Sequence, residues 1–190
     1  PANTFSELLE YVKKNQDKVS LANAGIGAVS QLCGMLFMDR IGVKLTTVPY
    51  KGAGPAMNDL MGGQVDLLCD QTTQTAPVIA DGKRAKVFGV TTAQRMPNIP
   101  TLDEQGLKGF DLKVWHGMYA PKGTPKEVVE RLNKALNVAL KDDNVKKRIA
   151  ELSSDLASPD KATPESLRKL LESETARWGK LIKAAGVTAD

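Results

Sequence analysis

A glycine-rich turn, Asn23-Ala24-Gly25-Ile26-Gly27, separates a short apolar run from an amphipathic segment that contains Ser30. Main-chain N–H groups at the start of a helix, together with the helix macrodipole, attract anions. Glycines allow a ligand to approach the backbone closely, and the Ser30 hydroxyl would add a neutral donor. Gly25, Ile26, Gly27 and Ser30 are therefore candidate carboxylate ligands, although glycine at such a junction also has a purely steric use.

Two further polar segments follow apolar runs. Tyr50-Lys51-Gly52 offers a phenol, an ammonium group and N–H groups, although an ordinary turn with a solvated lysine has the same composition. Asp70-Gln71-Thr72-Thr73 offers a carboxylate, which could accept a hydrogen bond from a ligand hydroxyl or ammonium group, or could cap the next helix. Both segments are candidate walls of the same binding site.

Catalytic chemistry has little support in the sequence. His116 is the only histidine, so a multi-histidine zinc site is excluded and a Ser-His-Asp triad would have to use this residue. A packed, hydrogen-bonded histidine is favoured at Trp115-His116-Gly117 over a ligand contact. No nucleophile elbow, dinucleotide fingerprint or P-loop occurs. We expect no catalytic residue, no metal and no cofactor, and hence a protein that is not an enzyme.

Alternating strand and helix patterns position these segments. Such alternation is typical of a mostly parallel α/β sheet, in which ligands bind at the carboxyl ends of the strands. The three polar loops therefore meet at one sheet edge. The predicted strands are Val19–Ala22, Val43–Val48, Gln64–Cys69 and Ala85–Val90, and one long strand or two short ones are predicted over Leu112–Ala120.

Helix signals are of two kinds, capping patterns and apolar periodicity. Thr4 with Glu7 forms one capping box, and Thr124 with Glu127 forms a second, with proline at the first helical position. Pro55 is predicted to open a short helix that Gly62-Gly63 stops. Further helices are predicted at Val29–Leu36, at Ala76–Ala80, over Val128–Leu140, over Val145–Leu152 and from Thr163 to a stop at Gly186, with a helical turn at Thr101–Gln105.

Charge and hydropathy exclude two partner classes. The net charge is +4, yet the basic residues alternate with acids, as in Lys141-Asp142-Asp143, which favours solvated helix faces over a nucleic-acid groove. Aromatic residues make up 5% of the chain, too few for base stacking. No apolar run approaches the roughly 18 residues of a transmembrane helix.

Cys33 and Cys69 are the two cysteines, and each stands in an apolar run. Two such residues are either small members of a hydrophobic core or the halves of one disulfide in an oxidising compartment. Their number excludes a cysteine-rich metal site.

A series of short motifs runs along almost the whole chain. The motifs are Gly25-Ile26-Gly27, Leu32-Cys33-Gly34-Met35-Leu36-Phe37, Val48-Pro49-Tyr50-Lys51-Gly52 with Pro55-Ala56, Gly63-Gln64-Val65-Asp66, Trp115-His116-Gly117 with Ala120-Pro121-Lys122-Gly123-Thr124-Pro125, and Trp178-Gly179-Lys180 to Ala185-Gly186-Val187. Their order and spacing closely resemble the Bug family, the extracytoplasmic receptors of tripartite tricarboxylate transporters.

This resemblance implies a periplasmic α/β protein of the type II-like binding-protein fold, with two lobes that close around a ligand. It implies that residues 1–120 form the second lobe and residues 121–190 the C-terminal helices returning to a first lobe whose N-terminal portion is absent. The implied ligand is a small carboxylate (a dicarboxylate, a tricarboxylate, an acidic amino acid or an aromatic acid) and the implied partners are membrane transporter subunits. Trp115 and His116 would line the cleft between the lobes.

The resemblance has one local departure and leaves two alternatives open. The family often has Ser-x-Ser-His after the second glycine, whereas Ala28-Val29-Ser30-Gln31 stands here, so one hydroxyl and one imidazole are missing. A ligand sensor for a membrane signalling partner would have the same cleft, and an α/β enzyme is the less favoured alternative. The apolar faces of the last helices would favour self-association of a truncated chain.

Overall fold

The structure, a computed structural model, describes residues 2–184 and Gly186. These residues divide into two compact units, the first comprising residues 2–114 and Gly186 and the second comprising Trp115–Ala184. The elements of the first unit are α1 (Phe5–Lys14), β1 (Ser20–Asn23), α2 (Val29–Ile41), β2 (Thr46–Pro49), α3 (Ala53–Met61), β3 (Leu67–Leu68) and α4 (Thr72–Asp81). Those of the second are α5 (Lys126–Ala139), α6 (Asp143–Glu151) and α7 (Pro164–Ala184).

The strands form a three-stranded parallel sheet in the order β2-β1-β3. Each strand leads directly into a helix, so the predicted α/β class is confirmed. Ala22 of β1 is completely buried and packs with Ala56 of α3 and Val65. A Cβ added at Gly34 would lie 2.8 Å from Leu21 Cδ2, so the glycine allows α2 to pack closely on β1.

The helix α1 shows how the local sequence sets an element boundary. Thr4 Oγ1 accepts a hydrogen bond from Glu7 N at 3.2 Å, as the capping box predicts. The Glu7 carboxylate accepts from Asn3 N at 2.8 Å, one residue earlier than an ideal box, and this hydrogen bond lowers the pKa of Glu7. Phe5, Leu8 and Val12 form the buried stripe.

The strand predicted over Ala85–Val90 is wrong. Only an isolated bridge between Val90 and Thr101 forms there. The apolar residues there allow a strand, but a strand also needs a hydrogen-bonding partner along its length. Lys86 instead extends its ammonium group to the Ala2 carbonyl oxygen and Asn3 Oδ1, both at 2.8 Å.

The strand predicted over Leu112–Ala120 is also wrong, and this segment is irregular. Leu112 alone is anchored, since its N–H donates to the Thr91 carbonyl oxygen at 2.8 Å and its own carbonyl oxygen accepts from Thr91 Oγ1 at 2.8 Å. The division between the two units falls within this segment, after Val114.

Strands β2 and β3 are shorter than predicted. The predicted runs were Val43–Val48 and Gln64–Cys69, but pairing extends only over Thr46–Pro49 and Leu67–Leu68. β3 pairs with β1 through Leu21 and Ala22 alone. Apolar composition predicts where a strand lies, but the partner decides how many residues pair.

Several helices begin at other residues than predicted. Pro55 is the third residue of α3 and not the first, and α4 begins at Thr72, before the predicted Ala76. Thr124 does not cap α5, because its Oγ1 donates to the Pro121 carbonyl oxygen at 2.8 Å. Pro125 occupies the cap position without a side-chain hydrogen bond.

The second unit consists mainly of helices, as predicted. The Asp142 carboxylate caps α6 by accepting from Asn144 N and Val145 N. The amide groups of Asn133 and Asn137 both donate to the Ala162 carbonyl oxygen, at 2.9 and 3.0 Å. Exposed apolar side chains on its helices include Val128, Leu132, Val138, Leu170 and Leu171. Self-association through these faces stays a prediction.

Gly186, the predicted helix stop, has φ of 65° and follows α7. Ala185 and residues 187–190, part of the predicted C-terminal segment, lie outside the described residues. Of the helices that the structure describes, none combines the length and the apolar character that a membrane span would need.

Candidate functional site

Three helix N-termini lie at the carboxyl edge of the sheet. Each strand there ends a few residues before a helix begins, so the positive ends of three macrodipoles face the same edge. Such an edge favours an anion without requiring an arginine or lysine. The strand ends and helix starts are Asn23 and Val29, Pro49 and Ala53, and Leu68 and Thr72.

The first two loops are held together by main-chain hydrogen bonds. Tyr50 N donates to the Asn23 carbonyl oxygen at 2.9 Å, and Gly52 N donates to the Ala24 carbonyl oxygen at 3.0 Å. Gly25 has φ of +124°, and a Cβ added there would lie 3.0 Å from the Tyr50 carbonyl oxygen. Gly25 is therefore required both by its own backbone angle and by the close approach of the second loop.

Ser30 stabilises the first loop from inside α2. Its hydroxyl oxygen accepts from Ala24 N at 2.8 Å, and the side chain is buried. Gly25 N donates to Asn23 Oδ1 at 3.0 Å. The hydroxyl proton of Ser30 stays available as a donor, because the bond to Ala24 uses only an oxygen lone pair.

The Gly27 N–H, a predicted ligand donor, already has an acceptor within the protein. This group donates to Gln31 Oε1 at 2.7 Å. Within the described part of the chain, no hydrogen bond uses the main-chain N–H groups of Ile26, Val29 or Ser30. The first N–H groups of a helix have no intrahelical acceptor. Val29 is therefore a further candidate donor. The sequence motifs do not include it, but this rule could have identified it.

The second loop is stabilised by a side-chain hydrogen bond. Tyr50 Oη donates to Asp59 Oδ2 at 2.7 Å, and this bond, with burial, raises the pKa of the Tyr50 phenol. The phenol is therefore engaged within the protein, whereas the Lys51 side chain is exposed. Gly52, with φ of +112°, is the cap residue of α3.

The third loop contains a carboxylate with an unsatisfied oxygen. Asp70 Oδ1 accepts from Gln71 N at 2.8 Å. Asp70 Oδ2 is buried and has no hydrogen-bond partner among the described residues. This burial raises the pKa of Asp70. Gln71 is the cap residue of α4 and Thr72 its first residue.

A disulfide joins the helix that follows the first loop to the residue that precedes the third loop. Cys33 of α2 and Cys69, directly after β3, are bonded with a Cα–Cα distance of 6.1 Å. The structure thus decides between the alternatives that the sequence left open. Among the described residues, no cluster of three His, Cys, Asp or Glu side chains is placed to hold a metal ion.

The structure brings the predicted residues of the three loops to one edge of the first unit. Trp115 and His116 belong to the second unit, where the Trp115 side chain is half-buried and that of His116 is exposed. Their role in ligand binding stays a prediction.

Comparison with known proteins gives consistent matches. The family model for the tripartite tricarboxylate transporter family receptor matches residues 1–187. The UPF0065 protein in the TAR-I ttuE-ttuC' intergenic region of Agrobacterium vitis is 47% identical over 96% of this chain and 54% of its own length.

Two solved structures extend the comparison. The periplasmic binding protein BugD is 49% identical, with a TM-score of 0.92 over 100% of this chain and 64% of that chain. MatC from Rhodopseudomonas palustris, solved with bound malate, is 34% identical, with a TM-score of 0.90 over 96% of this chain and 63% of that chain. The chain thus spans little more than half the length of the curated relative and under two thirds of these structures.

Proposed function

The chain belongs to the family of tripartite tricarboxylate transporter receptors, and we propose that it binds a small carboxylate in the periplasm for delivery to membrane transporter subunits. The family and the solved neighbours are periplasmic solute-binding proteins, not enzymes, and the resemblance to Bug proteins is confirmed. The observation that carries the proposal is the convergence of three helix N-termini at one sheet edge.

A ligand carboxylate would be bound at the start of α2. The unused N–H groups of Ile26, Val29 and Ser30 and the Ser30 hydroxyl supply neutral donors. Hydrogen bonds from such donors to an ionised group are stronger than those between neutral groups. Gly25 and Gly52 would contribute through their backbone conformation, since each has a positive φ that brings the main chain close to the site. Lys51 adds an exposed positive charge next to it.

Asp70 would accept a hydrogen bond from a second polar group of the ligand. A buried carboxylate oxygen without a partner is costly, so a ligand hydroxyl or ammonium group that donates to it recovers free energy. Since Oδ2 is covered in this conformation, the Asp70 side chain must turn outward on binding. MatC, which was solved with bound malate, a hydroxy dicarboxylate, supports this ligand class. Gln71 and Thr72 would complete this wall.

The lobe assignment is part of the same proposal. Residues 1–120 would form the second lobe, and residues 121–190 the C-terminal helices of the first. The parts of the relatives that lie outside the matched region would supply the facing wall, and His116 and Trp115 would lie near the crossing between the lobes.

A thermal-shift panel on the complete protein tests the proposal, because a ligand that binds only the folded state raises its melting temperature. The panel comprises succinate, malate, aspartate, citrate and benzoate, with glucose and calcium chloride as controls. We expect at least one acid to raise the melting temperature. A shift with glucose or calcium and none with any acid would overturn the carboxylate proposal.

Removing the Gln31 side chain should strengthen carboxylate binding. In the free protein its amide oxygen occupies the Gly27 N–H, and that bond must break before the group can bind a ligand. Gln31→Ala should lower the dissociation constant about fivefold, the equivalent of one exposed hydrogen bond of about 1 kcal/mol. Calorimetric titration measures the effect. Gln31→Glu, which keeps an acceptor and adds a negative charge, should weaken binding instead; the reverse order of the two variants would contradict this role.

Replacing Asp70 by asparagine should stabilise the ligand-free protein while weakening binding of a hydroxy acid. Burial raises the folded-state pKa above the reference value of 3.8, so stability falls as pH rises from that value through the folded pKa. Asp70→Asn removes this decline. At pH 7 its free energy of unfolding should exceed that of the wild type by about 1 kcal/mol, the lower range for an unsatisfied buried group.

Urea unfolding at pH 3.5 and pH 7 measures the difference, which should vanish at the lower pH. Asp103 supplies a control of opposite sign, because hydrogen bonds from Gly109 and Lys108 lower its pKa. Asp103→Asn should therefore reduce stability at pH 7. An Asp70→Asn variant that is less stable than the wild type at pH 7 would show that the carboxylate is satisfied in solution.

A further inference from the structure

The Cys33–Cys69 disulfide connects two elements that the proposed ligand would contact. Cys33 lies one helical turn after Ser30 in α2, and Cys69 stands between β3 and Asp70. The bond thus links the helix whose N-terminus offers free N–H groups to the loop that contains the unsatisfied carboxylate. Cys33 is 2% exposed, so the link runs through the interior of the first unit.

The strand before the third loop has fewer pairs with β1 than the strand before the second loop. Strand β2 pairs with β1 through four residue pairs, whereas β3 pairs through two. Main-chain hydrogen bonds from Tyr50 and Gly52 hold the second loop to the first. In the part of the chain that the structure describes, no hydrogen bond connects Asp70 or Gln71 with the segment 24–28. The disulfide is therefore a covalent connection at this point of the edge.

The unsatisfied oxygen of Asp70 raises the free energy of the folded loop. A buried carboxylate without a partner would be relieved if its loop moved toward solvent. The two paired residues of β3 and the hydrogen bonds between Asp66 and Ser20 all come before Cys69, so they restrain the loop after it only weakly. A covalent bond at the residue directly before Asp70 opposes such movement.

We propose that the Cys33–Cys69 disulfide is a positioning element of the ligand site, which holds the Asp70 loop at a fixed distance from the N-terminus of α2 and thereby sets selectivity for carboxylates that bear a second donor group. This inference rests on the proposed function. Binding geometry must be held to within about half an ångström to be effective. Without the bond, the carboxylate contacts at α2 persist, while the contact between Asp70 and the second group is lost.

The experiment compares the complete wild-type protein with the variant Cys33→Ala/Cys69→Ala. Calorimetric titration at 20 °C with malate and with succinate, which differ by one hydroxyl group, gives two dissociation constants for each protein. The double variant should bind malate about tenfold more weakly, as for the loss of one hydrogen bond to a charged group. Its affinity for succinate should change much less, so the malate-to-succinate preference falls.

A matched control separates positioning from stability. Val12 is fully buried in α1, which contributes no residue to the three loops, so Val12→Ala lowers stability without touching the site. It should leave both dissociation constants unchanged. Titration of the wild type in dithiothreitol should reproduce the double variant, whereas the double variant should not respond to the reductant.

The outcomes distinguish the two proposals. If the wild type binds neither acid nor any other acid of the panel, the proposed function itself fails. If the wild type binds malate and the double variant keeps the same malate-to-succinate preference, the disulfide is a stabilising crosslink only and the positioning role is overturned. A preference that falls equally in Val12→Ala would also overturn it.

Discussion

Gly25→Ala should reduce carboxylate affinity at least about tenfold, the equivalent of about 1.4 kcal/mol. The added methyl group would lie 3.0 Å from the Tyr50 carbonyl oxygen, and the φ of +124° is a backbone angle that costs a non-glycine residue about 1–3 kcal/mol. Relief of both requires the first loop to move away from the second. The movement would displace the Ile26 N–H and break the alignment of the first two helix N-termini.

Gly42→Ala is the matched control for this prediction. Gly42 also has a positive φ, +68°, but it caps the opposite end of α2 and nothing lies within 4 Å of an added Cβ. Its replacement should reduce stability by about 1 kcal/mol and leave affinity unchanged. Calorimetric titration and urea unfolding of both variants provide the measurements. Equal affinity of Gly25→Ala and wild type would remove the first loop from the ligand site.

Reduction of the disulfide should lower the free energy of unfolding by about 4 kcal/mol. The two cysteines are separated by 36 residues, and closing a loop of that length in the unfolded chain removes conformational entropy of this size. Urea unfolding of the wild type with and without dithiothreitol measures the effect, with thiol titration to establish complete reduction.

The double variant Cys33→Ala/Cys69→Ala provides the reference for this measurement. Its urea midpoint should match that of the reduced wild type apart from the small packing loss at Cys33, and the reductant should not change it. A fully reduced wild type with the midpoint of the oxidised protein would contradict the prediction. In that case, the unfolded chain would retain the contact between these segments without the bond.

Local sequence was sufficient for two features that depend on neighbouring residues. The cap at Thr4 follows from a threonine three residues before Glu7, and α2 follows from its glycine-rich entry and apolar content. The convergence of the three loops follows from the strand–helix alternation, because parallel strands place their carboxyl ends at one edge. The resemblance to the receptor family came from the same short motifs and their order.

Contacts between distant segments could not be predicted from local sequence. The paired length of β3 depends on Leu21 and Ala22 of β1, and the segment from Ala85 to Val90 is not a strand because it meets no partner except at Val90. In each case the local pattern allows two conformations, and the neighbouring segment selects one.

The sequence by itself determined that three polar loops share one sheet edge, and it predicts that neutral donors bind an anion there. Only the tertiary structure decided which donors are free, since Gln31 occupies the Gly27 N–H and leaves those of Ile26, Val29 and Ser30 unused. It also decided that Cys33 is bonded to Cys69 and that Asp70 holds a buried, unpaired oxygen. These properties depend on distances between atoms that are far apart along the chain, whereas motifs and periodicity report only on residues that are close together in it.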